Sequence, residues 1–254
     1  MKITVLGCGA SMGVPSLKYG WGNCDPKNFK NRRTRSSIII EEMGTTLLVD
    51  TSPDLREQLL KYGREKIDAV LFTHPHFDHI NGINELRPLF LKSGSVLDIF
   101  GTKDTLIEIK KCFYYLFHDD PHEIYANYMK ENVISYGEFK IQNISGICFE
   151  QNHGYSKSLG FRVKNFAYST DVVELSQEMI DILQNVDVWI VDCLQKEPNR
   201  PTHATLPDVL EWIKKVRPKK TYLTHMNASM DYDELMKILP KNVEPAYDQL
   251  SIDL

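Results

Sequence analysis

A mixed α/β fold is predicted by three features of this chain: short β-branched runs between turn residues, longer stretches with helical apolar spacing, and no Gly-, Ser- or Pro-rich tract dividing them. Strands are expected at residues 3–6, 37–42, 46–50, 69–73, 97–100, 140–144, 159–163, 167–169, 186–191 and 221–224. They are placed on runs such as Ile38-Ile39-Ile40, Leu47-Leu48-Val49, Val70-Leu71-Phe72 and Trp189-Ile190-Val191. Helices are expected at 53–62, 79–91, 103–117, 176–183, 206–215 and 232–239. The first is signalled by Ser52 as a cap with Pro53 in the first turn. The helix from 206 follows Thr205, with Pro207 and Asp208 where an N-terminus prefers them. With 254 residues and 42% hydrophobic content the chain can bury a substantial core, and one domain over residues 1–254 is the economical reading.

Composition excludes several classes. No apolar stretch reaches the roughly 18 to 20 residues that cross a bilayer, and the opening residues lack the apolar core of a signal peptide, so a cytoplasmic protein without membrane contact is expected. Cys8, Cys24, Cys112, Cys148 and Cys193 are scattered and odd in number, which predicts reduced thiols rather than a disulfide framework. The net charge of −4 offers no general attraction for a nucleic-acid backbone, so an anionic substrate must be attracted locally. Two basic stretches stand out, Lys27 to Arg35 and Lys214 to Lys220, and the second reads as a solvated helix end.

The chemistry is concentrated in His74-Pro75-His76-Phe77-Asp78-His79, which places three imidazoles and a carboxylate directly after an expected strand. In an extended segment His74 and His76 point the same way, and a following helix lets Asp78 and His79 face a second point nearby. Such a layout suits two metals, and imidazole with carboxylate suits zinc, manganese or iron. Further ligands should stand at strand ends, where His153, Asp171 and His225 occur.

The succession Leu6-Gly7-Cys8-Gly9-Ala10-Ser11-Met12-Gly13, then Arg33-Thr34-Arg35-Ser36-Ser37, Asp50-Thr51-Ser52-Pro53, the histidine motif, and His153, Asp171 and His225 resembles the metallo-β-lactamase-fold superfamily, and within it the phosphoribosyl cyclic phosphate phosphodiesterases. The resemblance implies a four-layer αββα sandwich with the metals at the edge where the sheets meet. It implies His74, His76 and His153 on one divalent ion, Asp78, His79 and His225 on the other, and Asp171 bridging. It also implies Asp50 as a carboxylate that orients a ligand imidazole. Some members of that branch hold a structural zinc on cysteines after the first glycine-rich loop. Here that loop carries Cys24 alone, which reads as a reduced thiol or packing residue.

The expected reaction is hydrolysis of a small phosphodiester, the opening of a cyclic phosphate, by hydroxide held between two ions, zinc or manganese. His203, outside the ligand set and ahead of a helix, is the candidate catalytic acid, with Asp78 the other residue placed in the catalytic machinery. Arg33 and Arg35 could meet phosphate or pin a loop. The aromatic stretch from Cys112 to Phe117 should pack a helix and cover one wall of the cleft, and His118, Asp119, Asp120 and His122 read as a solvated helix exit. A transfer-RNA 3′-end endonuclease shares the ligand pattern but usually carries a Gly- and Pro-rich arm, which is not seen, so a polynucleotide is disfavoured. A metal-binding carrier without turnover is the alternative outside enzymes, and a homodimer stays open.

Overall fold

The computed structural model describes residues 1–63, 66–117, 128–197 and 201–254. In chain order its elements are β1 (Lys2–Gly7), β2 (Ser37–Glu42), β3 (Thr45–Val49), α1 (Leu55–Tyr62), β4 (Ala69–Leu71), α2 (Phe77–Ile80), α3 (Arg87–Ser93), β5 (Leu97–Gly101), α4 (Lys103–Cys112), β6 (Met129–Val133) and β7 (Gly137–Ile141). They continue with β8 (Ile144–His153), β9 (Ser156–Val163), β10 (Phe166–Ser169), α5 (Gln177–Leu183), β11 (Val188–Asp192), α6 (Leu206–Val216), β12 (Lys220–Thr224), α7 (Tyr232–Ile238), β13 (Val243–Pro245) and β14 (Leu250–Asp253). The strands form two seven-stranded mixed sheets, ordered β14-β1-β2-β3-β4-β5-β6 and β13-β12-β11-β10-β9-β8-β7.

Residue alternation produces the layers. Ile38 and Ile40 of β2 join the core between the sheets, whereas Ile39 points to the other face and joins Leu55 of α1 with Leu106 and Ile109 of α4. β3 repeats this, with Leu47 and Val49 on one side and Leu48 on the other. A strand buried on both faces reads as a continuous apolar run, and these do. The second sheet brings Phe139, Leu159, Phe161 and Tyr168 to the same inner core. In α6, Leu206, Val209, Trp212 and Val216 are buried along one face. The result is the αββα sandwich that the resemblance implied.

Several expected elements are corrected. The helix expected over 79–91 is split into α2, a 3₁₀ turn at Ile83–Leu86, and α3. Here Thr51 donates its N–H to the His79 carbonyl and accepts the N–H of Gly82, and a Cβ at Gly82 would lie 1.9 Å from the Ser52 carbonyl oxygen. The chain at 79–82 is bound to a neighbouring loop instead of to its own next turn. The strand expected over 140–144 straddles a hairpin, since β7 ends at Ile141, Gln142 has φ 51°, and β8 starts at Ile144. The first helix starts at Leu55, and Ser52 accepts the N–H of Asp54 ahead of it. Asp50 and Thr73 lie just past their strands rather than within them. β6, β13 and β14 had no expectation: β6 is largely exposed and polar, and β13 has three residues.

The basic stretches resolve into structure. Arg33 is 1% exposed, and its guanidinium donates to the Met230 carbonyl and the Asn31 side chain. Arg35 pairs with Asp54 at 3.0 Å. Both therefore pin loops. Lys214, Lys219 and Lys220 pair with Glu211, Asp187 and Glu244. Cys24 packs with Val14 and Ala228, and all five thiols are free. No helix among the described residues is long and apolar enough to cross a membrane. His118, Asp119, Asp120 and His122 lie outside the described residues.

Candidate metal centre

The site forms where carboxyl ends of strands from both sheets meet. Asp50 follows β3, His74 follows β4, His153 ends β8, Asp171 follows β10 and His225 follows β12. β3 and β4 run parallel, as do β10, β11 and β12, so these residues emerge at the same edge. Backbone bonds close that edge: Leu159 donates to Thr73, and Ala10 and Met226 link the exits of β1 and β12. Asp50, Asp171 and His225 have φ of 61°, 52° and 56°. Asp and His tolerate this left-handed region better than most residues, and such kinks turn the side chain off the strand line.

The structure brings all seven expected ligands together. His74, His76, His153 and Asp171 form one group, and Asp78, His79 and His225 another; within each, the ligand atoms lie within 4.8 Å of one another. Asp171 stands between them. One of its oxygens lies 3.7, 3.6 and 3.6 Å from His74, His153 and His225, and the other lies 3.2 Å from His79 Nε2. Asp78 lies 3.2 Å from His225 Nε2 and 3.3 Å from His79 Nε2.

The remaining ring nitrogens show which atoms are available. His79 Nδ1 lies 2.7 Å from Asp50, so a ring proton is on that side and Nε2 faces two carboxylates. His153 Nδ1 lies 2.6 Å from the Thr202 carbonyl, which turns its bare Nε2 towards His76 Nδ1 at 3.2 Å. Nε2 of His74 and Nε2 of His79 are buried with no hydrogen-bond partner. Lone pairs and carboxylates converging in a dry space repel each other unless a cation or extra protons sit among them, so this donor set fits divalent metal. Burial pushes His74, His76 and His153 down from the usual imidazole range, towards the neutral form a metal needs. Burial alone would raise Asp78 and Asp171, but the surrounding imidazoles hold both well below the usual carboxylate range. His79 is opposed by burial and raised by Asp171, Asp78 and Asp50.

His203 sits at the edge of this cluster. Its ring stacks on His225 at 4.6 Å, and its Nδ1 lies 2.9 Å from Asp192. Burial works against its charged form, yet Asp192, with Asp171 and Asp78, pushes the imidazole up to about 9. Beside His203 a cavity of about 520 Å³ opens, lined also by Ser11, Lys18, Tyr19, Asn23 and Asn227. Among the described residues none of the aromatic stretch lines that cavity: Phe113 and Leu116 are buried under the first sheet, and Tyr115 bonds Asn84. Asp50 faces the His79 imidazole. Two residues escaped the sequence reading. Asp192 ends an apolar strand just as Asp50 nearly does, which was a usable signal; Thr73, hydrogen-bonded to both Asp50 and His74, gave none.

The profile of the beta-lactamase superfamily domain matches residues 45–226, and the chain belongs to that superfamily. A crystal structure described as a new diphosphatase from the PhnP family is 30% identical, covers 100% of this chain and 97% of that one, and superposes with a TM-score of 0.91. An octanoyltransferase from Porphyromonas gingivalis is 28% identical over 252 residues, 98% of this chain but 51% of that protein, so the chain spans about half of that relative's length. The anti-Pycsar protein Apyc1 from Paenibacillus harenae is 26% identical over 231 residues, covering 84% of this chain and 89% of the relative.

Proposed function

We propose that this chain is a metal-dependent hydrolase acting at phosphorus, and that its substrate is a small phosphodiester, a cyclic phosphate ester above all. The observation that carries this reading is the pairing of two donor groups around one shared carboxylate, Asp171, with a further imidazole, His203, which also groups with Asp171 and His225 and lines a ligand-sized cavity. Similarity to a diphosphatase of the PhnP family supports chemistry at phosphorus. His74, His76 and His153 would hold one ion, Asp78, His79 and His225 the other, with Asp171 facing both. Bound there, the ions supply Lewis acidity and a nucleophile at neutral pH.

The protein's own groups do the rest. Asp50 keeps the His79 ring turned so that Nε2 faces inward. Asp192 accepts the Nδ1–H hydrogen bond of His203, so the charged ring keeps that proton and has its second one on Nε2 to give to the departing oxygen. The cavity beside it receives the departing group and is scaled to a sugar or nucleoside.

The test is turnover by the purified chain, supplied with zinc or manganese, of ribose and nucleoside cyclic phosphates, a nucleoside diphosphate, an aryl phosphodiester, a transfer-RNA precursor and an octanoyl thioester. Opening of a cyclic phosphate with the highest kcat/KM is expected. Preference for the diphosphate or the RNA would replace the substrate while keeping the chemistry. Full ion loading with turnover of the thioester alone, or of nothing, would overturn the reading.

A further inference from the structure

Asp50 accepts from three donor groups on two residues. Besides His79 Nδ1, it accepts the Thr73 backbone N–H at 2.8 Å and the Thr73 hydroxyl at 2.8 Å. The Thr73 oxygen in turn lies 3.0 Å from Nδ1 of His74. Asp50, Thr73, His74 and His79 are all at most 1% exposed, so no solvent completes these contacts.

A hydroxyl has one proton to give. Asp50, a carboxylate, can only accept, so the Thr73 proton goes to it. The contact between Thr73 Oγ1 and His74 is then a hydrogen bond only if His74 Nδ1 brings its own proton. That leaves His74 Nε2 bare, and this is the buried atom without a hydrogen-bond partner, 3.7 Å from Asp171. Asp50 therefore acts on one imidazole in each donor group, on His79 directly and on His74 through an intervening hydroxyl.

We propose that Thr73 is a positioning residue of the metal centre, whose hydroxyl fixes the tautomer and orientation of His74 by linking it to Asp50. The proposal rests on the metal-centre reading above. Replacing Thr73 with valine keeps the shape and removes the link. The His74 Nδ1 proton then has no acceptor in a dry interior, and the ring loses its preference for a bare, inward Nε2. Losses of this kind cost about 10- to 100-fold in metal affinity. The second group, held through His79, keeps its direct bond to Asp50.

The experiment is a zinc competition titration against a chromophoric chelator on wild-type protein, Thr73→Val and Thr73→Ser. Thr73→Val should weaken one of two zinc ions about 10- to 100-fold and the other by less than about threefold, and Thr73→Ser should restore both. Thr73→Val binding both ions as tightly as wild type overturns the proposal, as does equal weakening of both that serine fails to rescue. A second measurement needs no variant: ¹⁵N NMR of histidine rings in zinc-free wild-type protein should find the His74 proton on Nδ1 and slow to exchange. A proton on Nε2 overturns the proposal. Wild-type protein that takes up no zinc sinks the metal-centre reading itself, an outcome the ring assignment keeps separate.

Discussion

Two carboxylates hold matching places in the two halves of the molecule. Asp50 follows β3 in the first sheet, Asp192 ends β11 in the second, and both are fully buried. Each receives the Nδ1 side of an imidazole, His79 at 2.7 Å and His203 at 2.9 Å. The difference lies on the far side of each ring. His79 is dry, and its Nε2 faces Asp78 and Asp171; His203 is 14% exposed and borders the cavity. One local arrangement thus supports two roles. Under the proposed function, the ring whose second nitrogen meets further carboxylates is the metal donor, and the ring that borders the cavity is the proton donor.

That comparison can be broken at its centre. Asp171→Ala removes the carboxylate shared by both donor groups, and kcat/KM should fall on the order of a thousandfold or more, with bound zinc reduced when measured by elemental analysis. Retained stoichiometry and rate would mean that the two groups do not depend on a common member. Next in size, His203→Ala should lower kcat about 10²- to 10⁴-fold with zinc content unchanged. The loss should shrink for a nitrophenyl ester, whose leaving group needs no proton. An equal loss for both leaving groups would remove His203 from proton transfer.

Smaller effects sharpen the contrast. Asp192→Asn should cost about 10- to 100-fold in kcat, with little change in KM or metal content, because it disturbs His203 while leaving the ligands in place. A change confined to metal content would instead assign Asp192 to His225, whose Nδ1 lies 3.8 Å from it. Another carboxylate, the partly buried Asp248, has no imidazole partner among the described residues. Burial pushes it up to about 6, although Thr34 and Cys8 donate to it. Because the folded state holds this proton more tightly than the unfolded chain, stability should fall as pH rises from about 4 to 6. Asp248→Asn removes that slope, worth on the order of 2 kcal/mol in urea unfolding curves compared across this range. Parallel curves for the two proteins would show that Asp248 is charged throughout.

How much of this was readable depends on the range of the interactions. The donors from His74 to His79 were legible because one strand and one turn aim them, a matter of a few neighbouring dihedrals. His153, Asp171 and His225 could be placed at strand ends by pattern and assigned by resemblance, but each alone reads as an ordinary turn residue. Asp192 went unread for the same reason. Arg33 stayed open between meeting phosphate and pinning a loop, since a cation between Arg32 and Thr34 gives no hint that it will be buried against Met230. The helix expected over 79–91 failed because the Gly82 contact with Ser52 joins residues thirty apart.

The sequence by itself determined the mixed α/β character and the local donor string, because apolar periodicity and strand-to-turn geometry act over a few residues; the layers were implied by the resemblance. The tertiary structure alone decided which nitrogen of each imidazole faces inward, which carboxylate serves which ring, and that His203 opens on a cavity. Those outcomes depend on hydrogen bonds between residues that adjoin only after two sheets close on one another and bury most of the partners.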